Sequence, residues 1–256
     1  MSRPSFEVES LVWGAPGGFL EWFRSAWQPG EHMAVIAPTG AGKTTLVGGL
    51  LDLRRYVLAL DPKGGDSTLT GLGYPRLSTW PGERQLERLV AKNNEDNLPS
   101  RFVVGPKVSR HEDHIKLRTV TKEALDGAFD MGGWTVYCDE LQIATDPRMM
   151  NLRKEADRML IAARDKGLSF VSSYQAPSWV TPHAGKMATW VAVSRTRDTD
   201  VVNRLAEILG RPKAEIRGAI SGLERFSWMI VGRDPNEQIR VTIPDEIATV
   251  PREALR

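Results

Sequence analysis

The run Ala37-Pro38-Thr39-Gly40-Ala41-Gly42-Lys43-Thr44-Thr45 has the residue types and spacing of a phosphate-binding loop. Glycines at 40 and 42 let backbone N–H groups turn inward around a polyphosphate. A helix beginning at Lys43 adds the partial positive charge of its N-terminus. In that setting Lys43 reaches the β- and γ-phosphates of a nucleoside triphosphate, and the Thr44 hydroxyl sits on Mg2+. The cofactors to expect are ATP and Mg2+. One departure is Ala37, standing where a first glycine is usual. A small residue is tolerable there because the preceding strand ends at that point.

A second segment, Trp134-Thr135-Val136-Tyr137-Cys138-Asp139-Glu140, reads as an apolar strand with two acids at its C-terminal end. In a doubly wound sheet that end lies beside the phosphate loop. Asp139 is expected to hold Mg2+ through a water, together with Thr44, and Glu140 to polarise the attacking water. Kinases and GTPases usually lack an acid directly after the metal aspartate. The adjacent pair therefore favours hydrolysis over transfer to a bound acceptor.

Positioning such residues takes a layered α/β frame, and the sequence supplies its pattern. Strand-like runs recur at Met33 to Ala37, Tyr56 to Leu60, Phe102 to Val104, Thr135 to Asp139, Ser169 to Ser173 and Thr189 to Val193. Between them lie helix-like stretches at Lys43 to Leu53, Glu83 to Lys92, Thr121 to Phe129, Pro147 to Lys166 and Asp198 to Leu209. Alternation of this kind predicts a parallel sheet with helices on both faces. Phe226 to Val231 and Gln238 to Thr242 flank a turn-rich spacer and predict a hairpin at the sheet edge. Residues 1–30, rich in tryptophan, read as an irregular lead-in with one short helix, Phe19 to Trp27, packed on the core. Stacking of those tryptophans on bases or a partner is the other reading. Gly64 to Pro106 has the least regular pattern and predicts an insertion or surface loop.

The 256 residues suffice for one sizeable core, with an ordinary 41% hydrophobic and 26% charged composition. A net charge of +2 announces no global basic field. The single cysteine, Cys138, excludes an internal disulfide framework and fits a reducing compartment. Within an apolar strand it is expected to be a buried, unreactive thiol. Met1 to Ser10, with Glu7 and Glu9, lacks the layout of a signal peptide, and no apolar run has the length of a membrane span. The expectation is a soluble cytoplasmic protein without membrane insertion, or a virion-associated one. His111 and His114 lack the spacing and partners of a zinc site and read as a solvated polar loop.

The stretch Ala163-Arg164-Asp165-Lys166-Gly167-Leu168, an apolar strand, then Gln175-Ala176-Pro177-Ser178 resembles the FtsK/HerA superfamily of DNA-pumping ATPases. That superfamily includes the coupling ATPases of type IV secretion and the genome-packaging ATPases of several virus groups. Leu60-Asp61-Pro62-Lys63-Gly64-Gly65 and the C-terminal hairpin extend the likeness over roughly residues 31–243. The resemblance implies a RecA-like P-loop NTPase of the additional-strand, catalytic-glutamate class. Its ATPase domain would span residues 31–243, between the 1–30 lead-in and a 244–256 tail. It further implies a homo-oligomeric ring, typically a hexamer.

By position, Gln175 would be the polar sensor contacting the γ-phosphate or the attacking water, a task suited to an amide that donates and accepts. Arg164 would be a finger reaching a neighbouring subunit's nucleotide, with Arg195 and Arg197 as competitors. On a Pro147–Lys166 helix it falls on the flank of the apolar face, about 100° from its centre. Asp61 and Lys63 would lie at the rim of the nucleotide site, although a simple Asp-Pro turn explains them as well.

The implied function is a DNA-stimulated ATPase that moves double-stranded DNA, in viral genome packaging or mobile-element transfer. It would dock on a portal, capsid or membrane complex. DNA contacts are not directly legible; Arg148, Arg153, Lys154 and Arg158, the loop from Ser109 to Lys116 and the segment from Ser178 to Lys186 are candidates. The alternative is a morphogenesis or secretion ATPase acting on protein, as in filamentous-phage assembly. A small-molecule kinase is disfavoured by the Asp139-Glu140 pair and the Gln175 strand.

Overall fold

Strands such as Met33-Ala34-Val35-Ile36 carry no polar face, so both sides of the sheet they form must be covered. The computed structural model, which describes residues 9–65, 67–108, 111–232 and 238–243, shows how. One ten-stranded sheet comprises β1 (Glu9–Val12), β2 (Met33–Ile36), β3 (Tyr56–Leu60), β4 (Arg76–Leu77), β5 (Ser100–Val104), β6 (Thr135–Cys138), β7 (Ser169–Tyr174), β8 (Trp190–Ser194), β9 (Ser227–Gly232) and β10 (Gln238–Thr242). The helices are α1 (Phe19–Ala26), α2 (Lys43–Leu51), α3 (Ser67–Thr70), α4 (Glu83–Glu95), α5 (His111–Met131), α6 (Leu141–Thr145), α7 (Arg153–Ala162), α8 (His183–Lys186), α9 (Thr199–Leu209) and α10 (Lys213–Ser221).

Spatial order across the sheet is β1-β10-β9-β8-β2-β7-β6-β3-β5-β4. From β8 to β4 every pairing is parallel. β9 runs antiparallel to both β8 and β10. The mostly parallel α/β fold with a C-terminal β9–β10 pair is the one the sequence predicts. β7 lies between β2 and β6, which is the additional strand between the phosphate-loop strand and the Asp139 strand.

Alternation along β2 splits the core into two. Met33 and Val35 join Trp13, Phe19, Phe23, Trp27, Trp190 and Trp228 on one face, while Ala34 and Ile36 join Leu58, Val136, Phe170 and Leu205 on the other. The lead-in is part of this packing: β1 extends the sheet beside β10, and Trp13 and Trp27 are buried under α1. Burial takes Trp13 and Trp27 out of the base-stacking reading, and the half-buried Trp22 sits edge-on to Trp190.

Four expectations about elements are corrected. Gly64 to Pro106 is no loose insertion, since α3, β4, α4 and β5 lie in it and β5 pairs with β3 over its whole length. The Pro147–Lys166 helix is shorter. Asp146 to Leu152 forms a turn, α7 begins at Arg153, and Arg164 to Lys166 make a separate 3-10 turn. Leu152, Ala156, Met159, Leu160 and Ala163 do form the buried stripe, whereas Met149 stands 58% exposed. The histidine region is helical, because α5 starts at His111. Finally, β10 is not the edge, since β1 covers it. The spacer after Gly232 and the 244–256 tail lie outside the described residues. Among the described residues no helix is long and apolar enough to cross a membrane.

Candidate active site

Parallel strands place all their C-terminal ends along one edge of a sheet, and here that edge collects the chemistry. β2 delivers the phosphate loop, β6 delivers Asp139 and Glu140, and β7 delivers Gln175. β3 delivers Asp61 to Gly65, and β8 delivers Arg195 and Arg197.

The loop's conformation explains its composition. Gly40 and Gly42 have φ of +79° and +81°, in the left-handed region that side chains disfavour. At Gly42 an added Cβ would also lie 2.9 Å from the Phe226 ring. Ala37 is absent from the positive-φ residues and is buried, with its N–H donating to the Tyr174 carbonyl at 3.2 Å. Alanine therefore costs nothing there that glycine would save. Gly42 caps α2 without any side-chain hydrogen bond, leaving the first N–H groups of α2 for a ligand. Lys43, Thr44 and Thr45 open that helix, half-buried. Pro38, Thr39 and Gly40 are exposed, and Ala41 is half-buried.

Asp139 is buried and held by two hydroxyls. Tyr137 Oη donates to Oδ1 at 2.7 Å, and Ser173 Oγ donates to the same oxygen at 2.7 Å. With both protons committed to Asp139, the 3.1 Å approach of the hydroxyls to each other is only proximity. Burial, followed by the Asp139 charge, raises the Tyr137 phenol well above its ordinary value, so it remains a donor. These contacts fix the carboxylate and leave Oδ2 turned toward Lys63 Nζ, 4.0 Å away. Burial and the same charge also push the Cys138 thiol up, which keeps it the protonated core group expected.

Glu140 adopts φ +48° and ψ +63°, a left-handed conformation rare for a non-glycine residue and typical of strained functional positions. Its N–H donates to Ser173 Oγ at 3.3 Å, which anchors the turn to β7. Its carboxylate is engaged at both oxygens. Lys63 Nζ lies 2.7 Å from Oε1, and Gln142 Nε2 donates to Oε2 at 3.2 Å.

The two readings of the β3 loop divide between its residues. Asp61 is a buried turn residue that accepts from Gly64 N at 3.0 Å, Gly65 N at 2.8 Å and Arg76 at 2.9 Å. Lys63 is the one that meets the acids. Gln175 is half-buried and follows Tyr174, which pairs with Ile36, so it lies beside Ala37 at the start of the phosphate loop.

Arg164 lies at the opposite edge of the sheet, before β7, with its carbonyl packed against Gly30 ahead of β2. It therefore does not reach its own chain's phosphate loop. Arg195 and Arg197 are exposed on the same edge as the loop. Arg158, a DNA candidate, is engaged within the chain: it pairs with Asp126, and its guanidinium lies 4.4 Å from the centre of the Phe129 ring.

Among the described residues no cluster of His, Cys, Asp and Glu could hold a metal by itself. A cation here would depend on Thr44, Asp139 and the nucleotide's own phosphates, a donor set of oxygens that suits Mg2+.

No protein-family model matches the chain. The genome packaging NTPase B204 of Sulfolobus turreted icosahedral virus 2, solved in complex with AMPPCP, superposes with a TM-score of 0.55 at 16% identity, over 84% of this chain and 98% of that one. VirB4 of Thermoanaerobacter pseudethanolicus gives 0.58 at 11% identity, over 87% and 90%. At these identities the likeness is one of fold. In sequence, the hemin import ATP-binding protein HmuV of Pseudomonas aeruginosa is 29% identical over 120 residues. The match spans 43% of this chain and 42% of that relative, so the chain covers less than half of the protein it matches.

Sequence reasoning missed three supports of this site: Tyr137 and Ser173 on Asp139, and Lys63 on Glu140. The first two were within reach. Tyr137 shares a strand face with Asp139 by the two-residue repeat, and the Ser172-Ser173 pair stands near the end of its strand, after the apolar Phe170-Val171. The Lys63 pairing depends on β3 lying next to β6, which sequence order does not reveal.

Proposed function

We propose that the chain hydrolyses ATP and uses it to move double-stranded DNA, working as a homo-oligomeric ring. The observation that carries hydrolysis is the convergence of the phosphate loop, a hydroxyl-locked Asp139 and Glu140 on one sheet edge. Lys43 and the α2 N-terminus hold the triphosphate, while Thr44 and Asp139 hold Mg2+. The ion supplies charge neutralisation at the phosphates. Glu140 accepts the proton of the attacking water, and Gln175, beside the loop, orients that water or the γ-phosphate. The DNA client is supported by the fold shared with B204, whose task is genome packaging. The ring, and with it a trans-acting Arg164, rests on the FtsK/HerA resemblance of the Ala163–Ser178 segment. Arg164 is remote from its own loop, so any contact it makes with phosphate would be in a neighbouring subunit.

ATP turnover with and without linear double-stranded DNA tests this reading. Stimulation by DNA is the expected result. Turnover indifferent to DNA but raised by a protein partner would sink it.

A further inference from the structure

Lys63 faces two ways. On one side it pairs with Glu140, where its ammonium and the Gln142 amide compete with water for the carboxylate's lone pairs. A base held in this way is turned away from its work. On the other side Lys63 lines an open groove of about 520 Å3, between the β3 loop, the first turns of α5 and the turn after α6. Lys63, His114, Arg118 and Arg148 all line this groove. Ile115 and Met149, 71% and 58% exposed, complete its wall. About a third of the Lys63 side chain is exposed, at 34%, against 18% for Glu140, so the ammonium has room to leave.

We propose that the groove takes the phosphodiester backbone of DNA, and that an incoming phosphate draws Lys63 off Glu140. DNA occupancy would then free the base, coupling the track to hydrolysis. This rests on the DNA-motor reading above. Charge complementarity selects the occupant. A DNA strand presents one negative charge about every 3.4 Å, so a backbone running between Lys63, Arg118 and Arg148 offers an anion close to Lys63. Ile115 and Met149 can pack against deoxyribose. Lys63 is thus a positioning residue, acting through Glu140 without touching the reacting atoms.

The test compares basal and DNA-stimulated kcat and KM for ATP, with DNA affinity from fluorescence anisotropy. Lys63→Met is expected to raise basal kcat several-fold with little change in KM, and to bring the stimulated-to-basal ratio toward one. Lys63→Arg, which keeps the cation, should recover part of that ratio. Arg118→Ala with Arg148→Ala should weaken DNA binding and stimulation together. Adding Glu140→Gln to Lys63→Met should abolish the gain, placing it on the base. A Lys63→Met chain with a full stimulation ratio, or with a lower basal kcat at unchanged KM, overturns the inference and leaves the motor reading standing. Stimulation by an acidic polypeptide and not by DNA overturns the assignment of the occupant. A wild-type chain that DNA does not stimulate overturns the motor reading and this inference together.

Discussion

Replacing Glu140 with Gln lowers ATP turnover by about 10²–10⁴-fold, the range lost with a positioned general base, while nucleotide binding persists. The amide matches the carboxylate in size and so keeps the left-handed turn after β6, where the residue's N–H donates to Ser173. What it loses is the capacity to take a proton from water. Phosphate release gives the rate and a fluorescent ATP analogue gives the affinity. Turnover within a few-fold of the wild type would remove Glu140 from the role of base. The variant also loses the ion pair to Lys63, so a thermal melt should accompany the kinetics to show that the fold is intact.

Lys43→Ala should weaken ATP binding by about ten- to hundredfold, the worth of one hydrogen bond to a charged group at about 1.5–3 kcal/mol. Lys43 begins α2, and its neighbours keep the loop's shape through Gly40 and Gly42, so the deletion removes the ammonium and little else. Equilibrium titration with the same analogue measures the effect. Undiminished affinity would place the triphosphate somewhere other than this loop.

The frame and the loop are legible in the sequence because both are local signals. The strands at Tyr56–Leu60 and Gln238–Thr242 stand in the structure with the bounds the sequence predicts. Gly40, Gly42 and Lys43 form a contiguous motif whose backbone demands are visible in the residue types. What escapes is set by tertiary context. The Pro147–Lys166 stretch has one apolar stripe, yet Asn151 takes φ +51° and breaks the helix before Arg153. That break, and the 3-10 turn at the far end, decide where Arg164 lies. The stretch from Gly64 to Pro106 reads as irregular because β4 has only two residues and α3 only four, too short for periodicity to register. A strand as short as β4 gains its stability from its neighbour in the sheet.

Directed movement along DNA is the central claim, and displacement of a triplex-forming oligonucleotide from linear double-stranded DNA tests it most directly. The account predicts ATP-dependent release by the wild-type chain, none with a non-hydrolysable analogue and none with Glu140→Gln. Vigorous ATP turnover on the same DNA with no displacement would contradict it.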